Sequence, residues 1–114
     1  MHDILIRGGT LFDGSGSPGV PGDILIADGR IAVIGQNLEG TARKTMDAEG
    51  LAVTPGFIDI KTHSDFTLPI NPRAESKVRQ GVTTEIIGHC GFSVAPALPG
   101  KVDLLKDYLS PSAP

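Results

Sequence analysis

Cysteine occurs once in this 114-residue sequence, at Cys90, and tryptophan not at all. One cysteine excludes a disulfide within the chain. Basic residues number ten against thirteen acidic ones, for a net charge of −3. They are mixed along the chain without a basic cluster, so the electrostatic footprint of a nucleic-acid binder is missing. No apolar run approaches the ~20 residues that a membrane-spanning helix takes. Met1-His2-Asp3 is neither basic nor followed by an apolar segment, so no secretory signal is expected, no membrane partner, and a cytoplasmic location. What is present is 39% apolar residues, with fifteen glycines and nine prolines as punctuation, the composition of a globular chain.

Residues 1–54 read as short strands and tight turns. Ile4-Leu5-Ile6 and Thr10-Leu11-Phe12 flank Gly8-Gly9, which lacks the third glycine, the following helix and the Lys-Ser/Thr pair of a phosphate loop and so predicts a hairpin turn. Residues 13–19 are a glycine- and serine-rich loop. From Asp23 to Gly35, two strand-like runs meet at Asp28-Gly29, a pair suited to a two-residue hairpin because both positions tolerate positive φ. Thr45-Met46-Asp47-Ala48 and Leu51-Ala52-Val53 add two short strands about Glu49-Gly50. The expectation is a small antiparallel β-domain of scaffold character.

From residue 55 to 114 the pattern becomes β, α, β. A Pro-Gly turn leads into Phe57-Ile58-Asp59-Ile60, read as a buried strand, and side-chain alternation places Phe57, Asp59, Lys61 and His63 on one face. Asn71 as cap, Pro72 at the first position and Gly81 as stop predict a helix over 72–80 with Ala74 and Val78 inward. Val82 to Ile87 reads as a second buried strand, and a strand–helix–strand order implies parallel pairing with a right-handed crossover. A final helix is expected over 102–109, before a Pro/Ser-rich ending at 110–114 that reads as a stop in mid-fold.

Groups with chemistry collect where these strands end. His63 is an imidazole donor there, and Cys90, in most settings a small buried apolar residue, would be a soft thiolate ligand. His89 points away from Cys90 in a regular strand, which leaves it a hydrogen-bonding role or plain exposure. Asp65, two residues after His63, could orient the imidazole, ligate, or cap the loop.

The words Pro55-Gly56-Phe57-Ile58-Asp59 and His63-Ser64-Asp65-Phe66, with Gly81-Val82-Thr83-Thr84 and His89-Cys90-Gly91-Phe92-Ser93, resemble the N-acyl-D-amino-acid deacylase (D-aminoacylase) branch of the amidohydrolase superfamily. The resemblance runs from about Ile4 to about Pro96. It implies an α/β fold with a β-rich N-terminal part: an incomplete β-domain followed by the first β-α-β unit of a (β/α)8 barrel. A complete barrel takes ~250 residues, so most of it would lie outside these 114. The resemblance also implies zinc (Zn2+), with Cys90 at the tightly held ion and a histidine pair at a weaker one, and hydrolysis of the amide bond of N-acyl-D-amino acids.

The first histidine of that pair is here Lys61, whose ammonium has no lone pair to offer a metal. The weaker position is therefore expected to be vacant, with Lys61 instead ion-paired to Asp59. Two other readings stand beside the deacylase: a non-catalytic relative kept as a structural or oligomerising module, and a cyclic-amide hydrolase of the dihydropyrimidinase type, against which His89-Cys90-Gly91 argues. Unpaired strand edges lead to the expectation of a homo-oligomer.

Overall fold

A computed structural model of the chain describes residues 2–88 and 90–112. The fold divides into two compact units, Met1–Pro55 and Gly56–Pro114.

The first unit is one sheet of β1 (His2–Leu11), β2 (Val20–Ala27), β3 (Arg30–Gly35), β4 (Ala42–Asp47) and β5 (Ala52–Val53), in the order β3-β2-β1-β4 with β5 also on β1. The Asp28-Gly29 hairpin forms as predicted. Both residues have positive φ, 51° and 69°, and Ala27 pairs with Arg30 across the turn. A Cβ at Gly29 would meet nothing within 4 Å, so Gly29→Ala should cost only backbone strain, about 1 kcal/mol. A urea titration should show a lower midpoint at unchanged slope.

Gly8-Gly9, in contrast, is not a turn. β1 runs through it, and its antiparallel register with β2 shifts between Ile6 and Gly9. Gly8 supplies the left-handed conformation (φ 73°) of a bulge. Nor is the sheet wholly antiparallel, because β4 and β5 both run parallel to β1, from His2↔Ala42 to Leu11↔Val53. The two corrections have one cause. β1 pairs with β4 up to Arg7 and with β5 from Thr10, and the glycines fill the gap opposite the turn in which Leu51 N–H donates to the Ala48 carbonyl. A side chain at Gly9 would lie 2.5 Å from Val53 Cγ2. Leu5, Leu11, Leu25 and Ala48 are buried here, while Ile31, Val33 and Ile34 of the edge strand β3 are exposed.

The second unit contains β6 (Phe57–Asp59), α1 (Ser64–Thr67), α2 (Glu75–Val78), β7 (Val82–Glu85) and α3 (Val102–Leu109), which a 3-10 turn at Ser110–Ser112 follows. β6 and β7 pair in parallel through Phe57↔Val82, Ile58↔Thr84 and Asp59↔Glu85, and α3 has its predicted bounds. Three details differ from expectation. The strands are not buried: Phe57 and Ile58 are 57% and 60% exposed, because a two-stranded sheet has no layer over its faces. The helix expected over 72–80 is a single turn, since Ala74 adopts a left-handed conformation (φ 46°, ψ 40°) that stops any helix from running through it. Val78 is exposed and Lys77 faces inward in its place. No helix among the described residues is long and apolar enough to cross a membrane.

Candidate functional site

The ends of β6 and β7 hold a set of polar groups that converge inside the second unit. Register pairing sets Asp59 beside Glu85. Lys77, on α2, reaches both: its Nζ is 2.5 Å from Asp59 Oδ2 and 3.4 Å from Glu85 Oε1. Ser64 Oγ donates to Glu85 Oε1 at 2.7 Å, and the Ser64 and Thr62 hydroxyls lie 2.8 Å apart. Thr62 and Ser64 are only 7% and 4% exposed. The Ser64 hydroxyl, and after it the Thr62 hydroxyl and the Lys77 ammonium, hold Glu85 below the ordinary carboxyl range against the opposing effect of burial. Asp59 foremost, then Glu85, raises Lys77 above its ordinary value. The Glu85 carboxylate and the Lys77 ammonium are therefore charged at neutral pH.

The residues singled out in the sequence surround this cluster. β6 ends at Asp59 and the chain bends at Ile60 and Lys61, so the alternation expected to run on to His63 stops short. Lys61 is exposed and makes no ion pair among the described residues. Its backbone N–H donates to Asp59 Oδ1 at 3.1 Å, and the ion pair expected for its ammonium is made by Lys77 instead. His63 is exposed at the start of α1. Its ring lies 6.3 Å from that of Phe66 and 6.3 Å, nearly edge-on, from that of Phe92.

Cys90 is half-buried, and its carbonyl accepts from Ser93 N–H in the turn that carries Phe92. Asp65 Oδ2 accepts from Val94 N–H at 3.4 Å, while its Oδ1 is buried without a hydrogen-bond partner among the described residues. The loops bearing His63 and Cys90 are thus brought together by a ring contact and a hydrogen bond. Tyr108 of α3 stacks on Phe92, with 5.8 Å between ring centroids. His89 lies outside the described residues.

A zinc centre takes about three protein ligands. No group of three or more His, Cys, Asp or Glu side chains converges among the described residues, so these alone do not fit the ion. His63 and Cys90 are donors of the right type, and Asp65 Oδ1, two residues on from His63, is a buried side-chain acceptor without a hydrogen-bond partner among the described residues.

Lys77, Glu85, Ser64 and Thr62 escaped the sequence reading. One signal was available: Glu85 stands in an apolar, β-branched run, where a carboxylate needs a cation or several donors.

No family model matches the sequence. The chain is 43% identical over 109 residues to N-acyl-D-aspartate deacylase of Alcaligenes xylosoxydans xylosoxydans, a match covering 96% of the chain and 22% of that protein. D-aminoacylase of the same organism is also 43% identical, over 92% of the chain and 22% of its own length. Among solved structures, the N-acyl-D-glutamate deacylase of Bordetella bronchiseptica, complexed with zinc and a phosphonate mimic of the tetrahedral intermediate, superimposes with a TM-score of 0.78 at 43% identity, over 91% of the chain and 23% of that structure. The chain spans about a fifth of the length of the curated relatives it matches.

Proposed function

Because the chain is related over nearly all of its length to the D-aminoacylase branch of the amidohydrolases, we propose that it is part of an enzyme hydrolysing the amide bond of N-acyl-D-amino acids. The single observation that supports this most is the 43% identity across 96% of the chain. We place residues 1–54 as a scaffold β-domain, and residues 55–114 as the opening β-α-β unit of a (β/α)8 barrel, a fold whose sites gather at the C-terminal ends of its strands. His63 and Cys90 are what the chain contributes to a zinc centre. Two donors fall short of the ligand set, so the remaining ligands come from beyond the described residues. Lys61, exposed and cationic, stands where the resemblance puts a histidine and opposes a second cation there. Asp65, with one oxygen that has no partner among the described residues, is the carboxylate we assign to orienting the His63 imidazole.

The test is a chimera: this chain in place of the matching segment of the N-acyl-D-aspartate deacylase. It should hydrolyse an N-acyl-D-amino acid, and Cys90→Ala should lower kcat/KM by at least about a hundredfold, since even the partners of metal ligands are worth about ten- to a hundredfold. Lys61→His should add a second, weaker zinc site by titration. The 114 residues alone should show no turnover with added zinc. Turnover by the 114-residue chain that Cys90→Ala abolishes, or a chimera indifferent to Cys90→Ala, would overturn this reading.

A second reading, that of an oligomerising module, draws on the exposed Phe57, Ile58 and Ile60 of the second unit. A patch of that kind favours self-association, and light scattering that returns a monomer at high concentration would dismiss it.

A further inference from the structure

His63 stands between two residues that are pinned inside the protein. Thr62 and Ser64 are both buried, their hydroxyls bond to each other, and Ser64 N–H donates to Thr62 Oγ1 at 3.3 Å. A residue whose neighbours on either side are anchored inward has its own side chain turned outward, and His63 is indeed exposed, with its ring set against Phe92. Both anchors lead to carboxylates that Lys77 contacts. Ser64 Oγ ends on Glu85, the Lys61 amide ends on Asp59 Oδ1, and both carboxylates are held by Lys77.

Asp59 and Glu85 are register partners on adjacent parallel strands, whose spacing is about 4.8 Å. Two carboxylates so placed repel, and the Lys77 ammonium, in contact with both, offsets that repulsion. Its removal weakens the hold on each carboxylate, on Glu85 as the acceptor for Ser64 and on Asp59 as the anchor for the Lys61 amide. Lys77 therefore acts on the loop through both strands at once.

We propose that Lys77 is a positioning residue for His63: by joining Asp59 to Glu85 it fixes residues 60–64 and so the direction in which the imidazole is presented. The proposal rests on the functional reading above only in treating His63 as a working group. The hold itself is read without turnover.

The experiment is proton NMR of the 114-residue chain and four variants, one of which, His63→Gln, assigns the His63 ring. The parent should show a cross-peak between the His63 and Phe92 rings. Lys77→Met should lose it, and Lys77→Arg, which keeps the cation, should restore it. Contacts between the Asp59 and Ile86 backbones report whether the strand pair is intact. If Lys77→Met dismantles that pair, the double variant Thr62→Val/Ser64→Ala decides, because it removes both loop hydroxyls that act on Glu85 and leaves Lys77 on Asp59; it too should lose the cross-peak. An unchanged cross-peak in Thr62→Val/Ser64→Ala, or in a folded Lys77→Met, overturns the proposal, as does a loss that Lys77→Arg fails to restore. If the NMR results hold and the chimera is inactive, the functional reading fails and the positioning role stands. The converse result separates them the other way.

Discussion

Gly56→Ala is expected to dismantle the strand pair β6–β7. A Cβ at Gly56 would lie 2.2 Å from Thr83 Oγ1, 2.3 Å from its Cγ2 and 2.7 Å from its Cβ. Rotating the threonine about χ1 moves the first two atoms and leaves the third, so no rotamer clears the clash and the backbones must separate. Overpacking of this kind costs about 3 kcal/mol at its upper end, and the unit has only a two-stranded sheet with exposed faces to resist it. Amide exchange should show loss of the bonds from Phe57 N–H to the Gly81 carbonyl and from Ile86 N–H to the Asp59 carbonyl, while the sheet of the first unit keeps its protection. Thr83→Gly in the same chain should restore both bonds. If Gly56→Ala alone retains them, the close approach has been misread.

Asp23→Ala should be the most damaging change in the first unit. Asp23 is buried, and its two oxygens accept from separate backbone donors, Gly8 N–H at 2.8 Å and Leu38 N–H at 2.9 Å. One carboxylate thus ties the β1 bulge to the turn after β3. Removing it leaves two donors unsatisfied, at about 1–3 kcal/mol each before water enters, and we expect a net loss of about 3 kcal/mol in chemical denaturation. The Gly8 amide first, then that of Leu38, lowers the folded-state pKa of Asp23 below its ordinary 3.8. A depressed carboxyl pKa contributes stability that is fully present above the unfolded value and vanishes as pH falls through the folded one. The gap between parent and Asp23→Ala should therefore stay constant from neutral pH down to about 4 and narrow below it. A gap under about 0.5 kcal/mol at pH 7 would show that Asp23 is not the tie described.

These residues also mark how far the sequence could be read. The Asp28-Gly29 hairpin and α3 were legible because local pattern decides them. The parallel pairing of β6 with β7 followed from a connection that no hairpin could make. Gly8-Gly9 was misread as a turn because its purpose depends on β4 and β5, roughly forty residues away. The Pro55-Gly56 pair was read as a turn, but residues 54–56 form none, and the demand for glycine comes from Thr83 across the strand pair.

At the site, His63 and Cys90 could be singled out from residue type and surrounding words. That Lys77 is the lysine that pairs with Asp59 could not, since Lys61 and Lys77 are equivalent as text. The fold separates them: the chain bends at residues 60 and 61 and leaves Lys61 exposed, while Lys77 reaches Asp59 from α2.

The switch of β1 from one parallel partner to another has a consequence for how the chain acquires its shape as it is made. β2 and β3 can pair as soon as their two-residue turn has left the ribosome, and β1 can join them at once as an antiparallel neighbour. The other edge of β1 then waits for residues 42–53. At 5–20 residues per second, that edge stands open for a matter of seconds, with the donors and acceptors of His2 to Leu11 free to recruit any extended segment nearby. The bulge at Gly8 breaks this exposed strand into two short pieces of different register, neither offering a long flat template. The irregularity that lets the finished sheet change partner thus also shields the nascent one from the wrong partner.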